Sequence, residues 1–107
     1  MSGWMYLAGA IVLEVAGTFL LKLSDGFALV HWGLLSIACY AACFLAFAPA
    51  LKVLPVGAAY AIWAGAGIVA ATLIGMLAFE ERLGMVQLLS IALILAGVVG
   101  LRLTTQA

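Results

Sequence analysis

The sequence predicts an all-α integral membrane protein whose chain crosses the bilayer four times. Of its 107 residues, 69% are hydrophobic and only 7% are charged, whereas soluble domains have roughly 45–50% apolar and about 25% charged residues. The apolar residues also fall into four blocks of membrane-spanning length, separated by short polar segments. A soluble domain of this size could not bury so much apolar surface. Lipid must therefore surround most of the chain.

The four blocks form a single predicted domain over residues 1–107, with helices at about 4–21, 29–51, 56–79 and 85–103. At about 1.5 Å per residue, each helix is long enough to cross a hydrocarbon core of about 30 Å. Asp25 and Gly26 predict a turn after the first block. Pro55 marks the start of the third, because proline is tolerated at the beginning of a helix. Helices are the expected spans because backbone polar groups in lipid need internal partners.

The charge and the cysteines exclude several classes of function. The formal net charge is zero and there is no basic run, so nucleic-acid binding is not expected. Cys39 and Cys43 are four residues apart in an apolar segment. A disulfide between them is not expected on a regular helix, and the pair makes a poor metal site. The loops are too short to build an enzyme active site, and no metal or cofactor is expected.

Glu14 is the only acidic residue that the sequence places within a membrane span. The other three acids, Asp25, Glu80 and Glu81, fall in predicted loops. For the comparable Asp, a position at the centre of a membrane helix costs about 2.5–3.5 kcal/mol. Intramembrane carboxylates usually mark an ion or substrate path. The alternative is a protonated glutamic acid that serves only as a hydrogen bond between helices.

Helical spacing surrounds Glu14 with small residues. Ala10, Gly17 and Thr18 lie at i−4, i+3 and i+4, so they share its helix face. They leave room beside the carboxylate, and Thr18 adds a hydroxyl that could also bond back to its own helix. We therefore expect a cavity at this position.

The second and third blocks each present an aromatic face. The residues on these faces are Ser36, Tyr40, Cys43, Phe44 and Phe47 in the second block, and Tyr60, Trp63 and Gly67 in the third. A carboxylate beside aromatic rings suits a hydrophobic cation, since the ring faces attract positive charge. Ordinary packing explains the same spacing, so both interpretations stay open here.

Glycine and serine residues indicate two further features. Gly65 and Gly67 could allow the third helix to bend, as in transporters with interrupted helices. Ser90 and Gly97 are seven residues apart on one face of the fourth block. Small residues let membrane helices approach closely. Close packing within the chain accounts for both pairs equally well.

Two stretches resemble the small multidrug resistance transporters. They are "LEVAGTFLLKLSDGF" at 13–27 and "LPVGAAYAIWAGAG" at 54–67. With the four-block layout and the length, the resemblance covers essentially the whole chain. It implies an antiparallel homodimer of the bacterial plasma (inner) membrane that exports cations in exchange for protons.

The resemblance also implies roles for the matched positions. Glu14 would bind proton and substrate in turn, and Gly65 and Gly67 would mark a kink in the third helix. "SIALILAGV" at 90–98 matches a dimerising motif, with Ser90 where glycine is usual. The cavity would be lined by Tyr40, Tyr60 and Trp63, with Thr18 near the carboxylate. Together with the helix faces, this gives a predicted substrate pocket of Ala10, Gly17, Thr18, Tyr40, Cys43, Phe44, Tyr60 and Trp63.

The substrate class follows from a few positions. Guanidinium exporters of the family usually have Trp where this chain has Gly17, and Gly17, Thr18 and Tyr40 resemble the quaternary-ammonium, multidrug branch. The chain departs from that branch at Cys43 and Ala64, where serine is common, and at Pro49 and "FEERL". Alternatives are export of guanidinium, polyamines or lipids, or an accessory membrane subunit. A channel fits less well, because one carboxylate and aromatic walls suit occlusion better than a wet pore.

The basic residues predict insertion in both orientations. With four spans, the termini and the second loop share one side, which carries Lys52 and Arg102. The other side carries Lys22 and Arg82. Two against two gives the positive-inside rule no preference. Both orientations in one membrane would allow an antiparallel pair to form.

Overall fold

The computed structural model describes residues 2–105 and contains four α-helices in that range. The four helices are α1 (Gly3–Leu23), α2 (Val30–Ala50), α3 (Val56–Ala78) and α4 (Met85–Thr104). Each is long and apolar enough to cross a membrane, with mean hydropathy between 1.7 and 2.1. The predicted all-α fold with four transmembrane helices is confirmed.

Local hydrogen bonds fix both ends of α1. Ser2 precedes α1, and its hydroxyl accepts the Met5 N–H at 3.3 Å. After α1, the Ser24 hydroxyl donates to Leu21 O at 2.6 Å and accepts the Phe27 N–H at 3.1 Å. Gly26 lies in the same turn at φ +68°, a conformation that glycine adopts at little cost. The segment between α1 and α2 is therefore a compact turn.

The helices pack in a row rather than as a round bundle. The main contacts join α2 to α1, α1 to α3, and α3 to α4. The described chain measures 42 × 35 × 17 Å along its principal axes, so it is a flattened layer. In this order α1, the helix that carries Glu14, lies between α2 and α3.

Side-chain hydrogen bonds join α1 to α2. The Ser36 hydroxyl donates to Gly17 O at 2.9 Å, and the Cys43 thiol donates to Ala10 O at 3.2 Å. A third bond joins the hydroxyls of Thr18 and Tyr40. Three bonds along one interface hold the two helices in a fixed register.

A small apolar core lies at the end of the layer that contains the second loop. Its buried members are Leu7, Ala50, Leu54, Ala59 and Ile62. At the same end, the Arg102 guanidinium lies 4.3 Å from the centre of the Trp4 ring, a cation–π distance. None of the residues of α4 is buried within the described chain. The outer face of α4 is therefore open to lipid or to another chain.

Candidate functional site

Glu14 lies midway along α1 and points towards α3. A Cβ atom added at Gly67 of α3 would overlap the Glu14 carboxylate. The backbone of α3 therefore forms one wall of the site, and a side chain at position 67 would require the Glu14 carboxylate to shift. The sequence predicts Gly67 as a hinge on the face of Tyr60 and Trp63, but not this contact.

One oxygen of Glu14 has no partner in the single chain. Among the residues that the structure describes, Glu14 Oε2 and Trp63 Nε1 are the buried side-chain atoms without a hydrogen bond. An unpaired buried polar group costs about 1–3 kcal/mol. A proton, a bound cation or a donor from another chain would remove that cost. Within residues 2–105, this oxygen is therefore left without a partner.

Thr18, Tyr40 and Gly17 lie one turn away from Glu14. The Thr18 hydroxyl donates to Glu14 O at 3.0 Å, so it bonds back to its own helix as the sequence allowed. The Tyr40 hydroxyl then donates to the Thr18 oxygen. A Cβ atom at Gly17 would lie 3.2 Å from the Tyr40 ring. Glycine at 17 lets this ring rest directly against α1.

Ala10 and Cys43 are both fully buried, at 0% exposure. The thiol of Cys43 is bonded to the backbone of α1 one turn before Glu14. Cys39 and Cys43 are both free thiols. Among the residues from 2 to 105, no group of three or more His, Cys, Asp or Glu side chains could hold a metal ion.

Trp63 is the centre of an aromatic cluster between α2 and α3. Its ring stacks on Phe47 at 4.8 Å and contacts Tyr60 at 5.7 Å and Phe44 at 6.3 Å between ring centroids. Phe44 and Tyr60 are each 58% exposed. Within one chain they lie at its surface, where a second chain could cover them.

The predicted hinge and dimerisation positions occupy different environments. α3 runs without interruption through Gly65 and Gly67, and a Cβ atom at Gly65 would overlap Val98 of α4. Gly65 is therefore a packing contact here, and the hinge stays a prediction. Ser90 donates to Val86 O within α4 at 2.8 Å and is exposed. Gly97 has open space around it, so both residues lie on the open side of α4.

Sequence reasoning missed the bond from Ser36 to Gly17. Ser36 is 1% exposed and was placed on the same face of α2 as Tyr40 and Cys43. Gly17 lets the two helices approach closely enough for the hydroxyl to reach a backbone carbonyl, but the helix rotations that bring the two residues together are not readable from the sequence.

A partly buried carboxylate with one unpaired oxygen, in the middle of a four-span membrane protein, is typical of proteins that move ions or substrates through the membrane. The chain belongs to the small multidrug resistance family, because the family model described as Small Multidrug Resistance protein matches residues 2–94. The family consists of membrane transporters rather than enzymes. The four apolar helices and the bacterial relatives indicate a multi-pass protein of the inner membrane.

Similar proteins carry several functional names. The multidrug transporter EmrE of Escherichia coli is 40% identical over 107 residues, covering 100% of this chain and 97% of the relative. The quaternary ammonium compound-resistance protein QacH of Staphylococcus saprophyticus is 38% identical, covering 90% of each chain. A guanidinium exporter of Yersinia pestis is 37% identical, covering 95% of this chain and 98% of the relative.

Proposed function

We propose that this protein is a proton-coupled antiporter that exports hydrophobic or quaternary ammonium cations, with Glu14 as the shared site for proton and substrate. The observation that carries the proposal is the unpaired Glu14 oxygen, buried against the α3 backbone at Gly67. No side chain in the described range neutralises or hydrogen-bonds that oxygen, so the site is available to a mobile ligand.

Competition for one carboxylate would couple the two fluxes. A bound proton neutralises Glu14, and so does a bound cation. If both use the same carboxylate, binding of one lowers the affinity for the other, and the effect is reciprocal. With alternating access, an inward proton gradient then drives the cation outward.

An antiparallel homodimer would complete the site. The single chain is a flat layer with an open α4 face and two exposed aromatic residues beside Trp63. A second copy could cover these surfaces and enclose a chamber with two Glu14 side chains. The equal numbers of basic residues on the two sides support insertion in both orientations.

Gly17 and Tyr40 support a preference for hydrophobic cations over guanidinium. A Trp side chain at position 17, the usual residue in guanidinium exporters, would begin at a Cβ atom already 3.2 Å from the Tyr40 ring. The ring would have to move and its bond to Thr18 would break. The observed packing of Tyr40 on Gly17 therefore differs from that of a pocket with Trp at position 17. A clear preference for guanidinium in transport assays would overturn this part of the proposal.

Proton release on cation binding tests the mechanism. Purified protein in weakly buffered detergent solution is titrated with tetraphenylphosphonium, and the pH change is followed with an indicator dye. The native protein should release protons. Glu14→Gln should bind no cation and release none, because it removes the titrating charge at nearly constant volume.

Glu80→Gln is the matched control, since it makes the same change in an exposed loop residue. It should behave like the native protein. Retained exchange in Glu14→Gln would remove Glu14 from the mechanism. Absence of proton release from the native protein would instead favour an accessory subunit.

A further inference from the structure

An ion pair joins α1 to the loop after α3. Lys22 lies in the last turn of α1, and its Nζ is 3.3 Å from Glu81 Oε2. The same ammonium group lies 5.7 Å from the centre of the Phe79 ring. Phe79 in turn contacts Phe19 of α1 at 5.5 Å between ring centroids. Two contacts therefore bridge the cleft between α1 and α3 at this end of the layer.

The loop is folded so that Glu81 can reach Lys22. The N–H groups of Phe79 and Glu81 both donate to Gly75 O, at 3.2 and 3.0 Å. Glu80, between them, has φ +54°, a conformation uncommon for a residue other than glycine. A Cβ atom at Gly75 would overlap the Glu81 carboxylate. The loop conformation and the lack of a side chain at Gly75 thus accommodate the Glu81 carboxylate in this position.

Behind the ion pair is a cavity of about 200 Å³. Its lining residues are Val15, Thr18, Phe19, Lys22, Ala71, Ile74, Gly75, Phe79 and Glu81. An adjoining open depression is lined by Thr18, Leu21, Lys22, Asp25 and Gly26. The cavity beside the ion pair therefore reaches Thr18, the residue hydrogen-bonded to Glu14 O.

We propose that the Lys22–Glu81 ion pair is a gate of the transporter. When the pair is formed, it holds the loop after α3 against α1 and closes the cleft between α1 and α3. When it breaks, the cleft opens from the loop side towards Thr18 and Glu14. This inference rests on the proposed function, because it assigns the gate to the path of the transported cation.

The strength of the pair suits a gate. The side chains of Lys22 and Glu81 are 56% and 51% exposed, and exposed ion pairs shift an equilibrium by only about two- to fivefold. Such a contact favours the closed cleft and still breaks readily in each cycle. It should also weaken as salt screens the charges.

Thiol labelling inside the cavity tests the gate without requiring transport. Ala71→Cys is reacted with a cationic methanethiosulfonate in proteoliposomes, and the rate at position 71 is measured by peptide mass spectrometry. The native cysteines then need not be removed. Adding Glu81→Gln or Lys22→Gln should speed labelling about two- to fivefold. The matched control Glu80→Gln removes a neighbouring charge and should leave the rate unchanged.

Two further measurements complete the test. Exchanging the charges, with Lys22→Glu and Glu81→Lys together, should return labelling towards the native rate. High salt should speed labelling of the Ala71→Cys protein but not of its Glu81→Gln derivative. Equal labelling in the Glu81→Gln and Glu80→Gln variants would overturn the gate. If labelling responds as expected but no cation is transported, the gate stands and the proposed function fails.

Discussion

At the scale of single residues, the contact between Glu14 and Gly67 defines the site most directly. The acid rests against peptide backbone, so a methyl group at position 67 would require the Glu14 carboxylate to shift. This contact was not predictable from the sequence. α3 is apolar on all sides, and a helix without a polar face gives no indication of which residues point towards a neighbour.

Gly67→Ala should therefore displace the Glu14 carboxylate. Overpacking usually costs about 1–3 kcal/mol, and the end of a flexible side chain can shift at the low end of that range. Where this cost falls on the cation-bound state, cation affinity should drop about fivefold. Binding is measured by isothermal titration with tetraphenylphosphonium. Gly57→Ala is the matched control, because a Cβ atom there meets nothing within 4 Å. Equal affinity in the two variants would show that the contact does not position the acid.

At the scale of helices, the membrane environment makes the fold predictable from the sequence. The expected and observed ends differ by at most two residues, with the largest difference at the end of α1, which reaches Leu23. Membrane thickness sets the length of each span, and proline, glycine and charged residues mark the breaks. The bonds between helices were harder to foresee, because they depend on the rotation of each helix about its axis. Ser36 and Lys22 were visible in the sequence, but their partners were not.

Ser36→Ala tests the bond between α2 and the Gly17 carbonyl. Interhelical hydrogen bonds in membranes contribute about 0.6 kcal/mol on average, and up to about 1.7. We expect the free energy of unfolding in mixed detergent to fall by about that amount. Thr72→Val provides the control, since the Thr72 hydroxyl bonds to Ile68 O of its own helix. A loss of stability no greater than that of Thr72→Val would show that the α1–α2 register does not depend on this bond.

At the scale of the whole molecule, the flat layer and the balance of basic residues both bear on how two copies would pair. The open face of α4 leaves room for a second copy, and a second copy in the opposite orientation would need both insertions. Among the described residues, Arg102 contacts Trp4 and Lys22 pairs with Glu81. Within that range, Lys52 and Arg82, one on each side of the membrane, make neither a cation–π contact nor an ion pair.

Removing one of these two cations should bias insertion. Arg82→Gln leaves two basic residues on the side of the termini and one on the other, so the termini should face the cytoplasm. Lys52→Gln should give the opposite bias. Orientation is measured by labelling single loop cysteines from each side of intact cells. Each variant alone should lose export, and co-expression of the two should restore it. Full export by either variant alone would contradict the antiparallel dimer.

The unequal bonding of α1 to its two neighbours has a consequence for the temperature dependence of turnover. Three side-chain hydrogen bonds join α1 to α2, whereas within residues 2–105 no side-chain hydrogen bond joins α1 to α3. A hydrogen bond broken in an apolar medium costs about 4–6 kcal/mol. Movement of α3 along α1 breaks no such bond between the two helices. It exchanges one set of dispersion contacts for another, each worth about 0.1–0.2 kcal/mol per atom pair, and its polar cost is the exposed Lys22–Glu81 ion pair beyond the end of α3. Little enthalpy is therefore needed to move α3 along α1, and the activation enthalpy of the conformational step should be small.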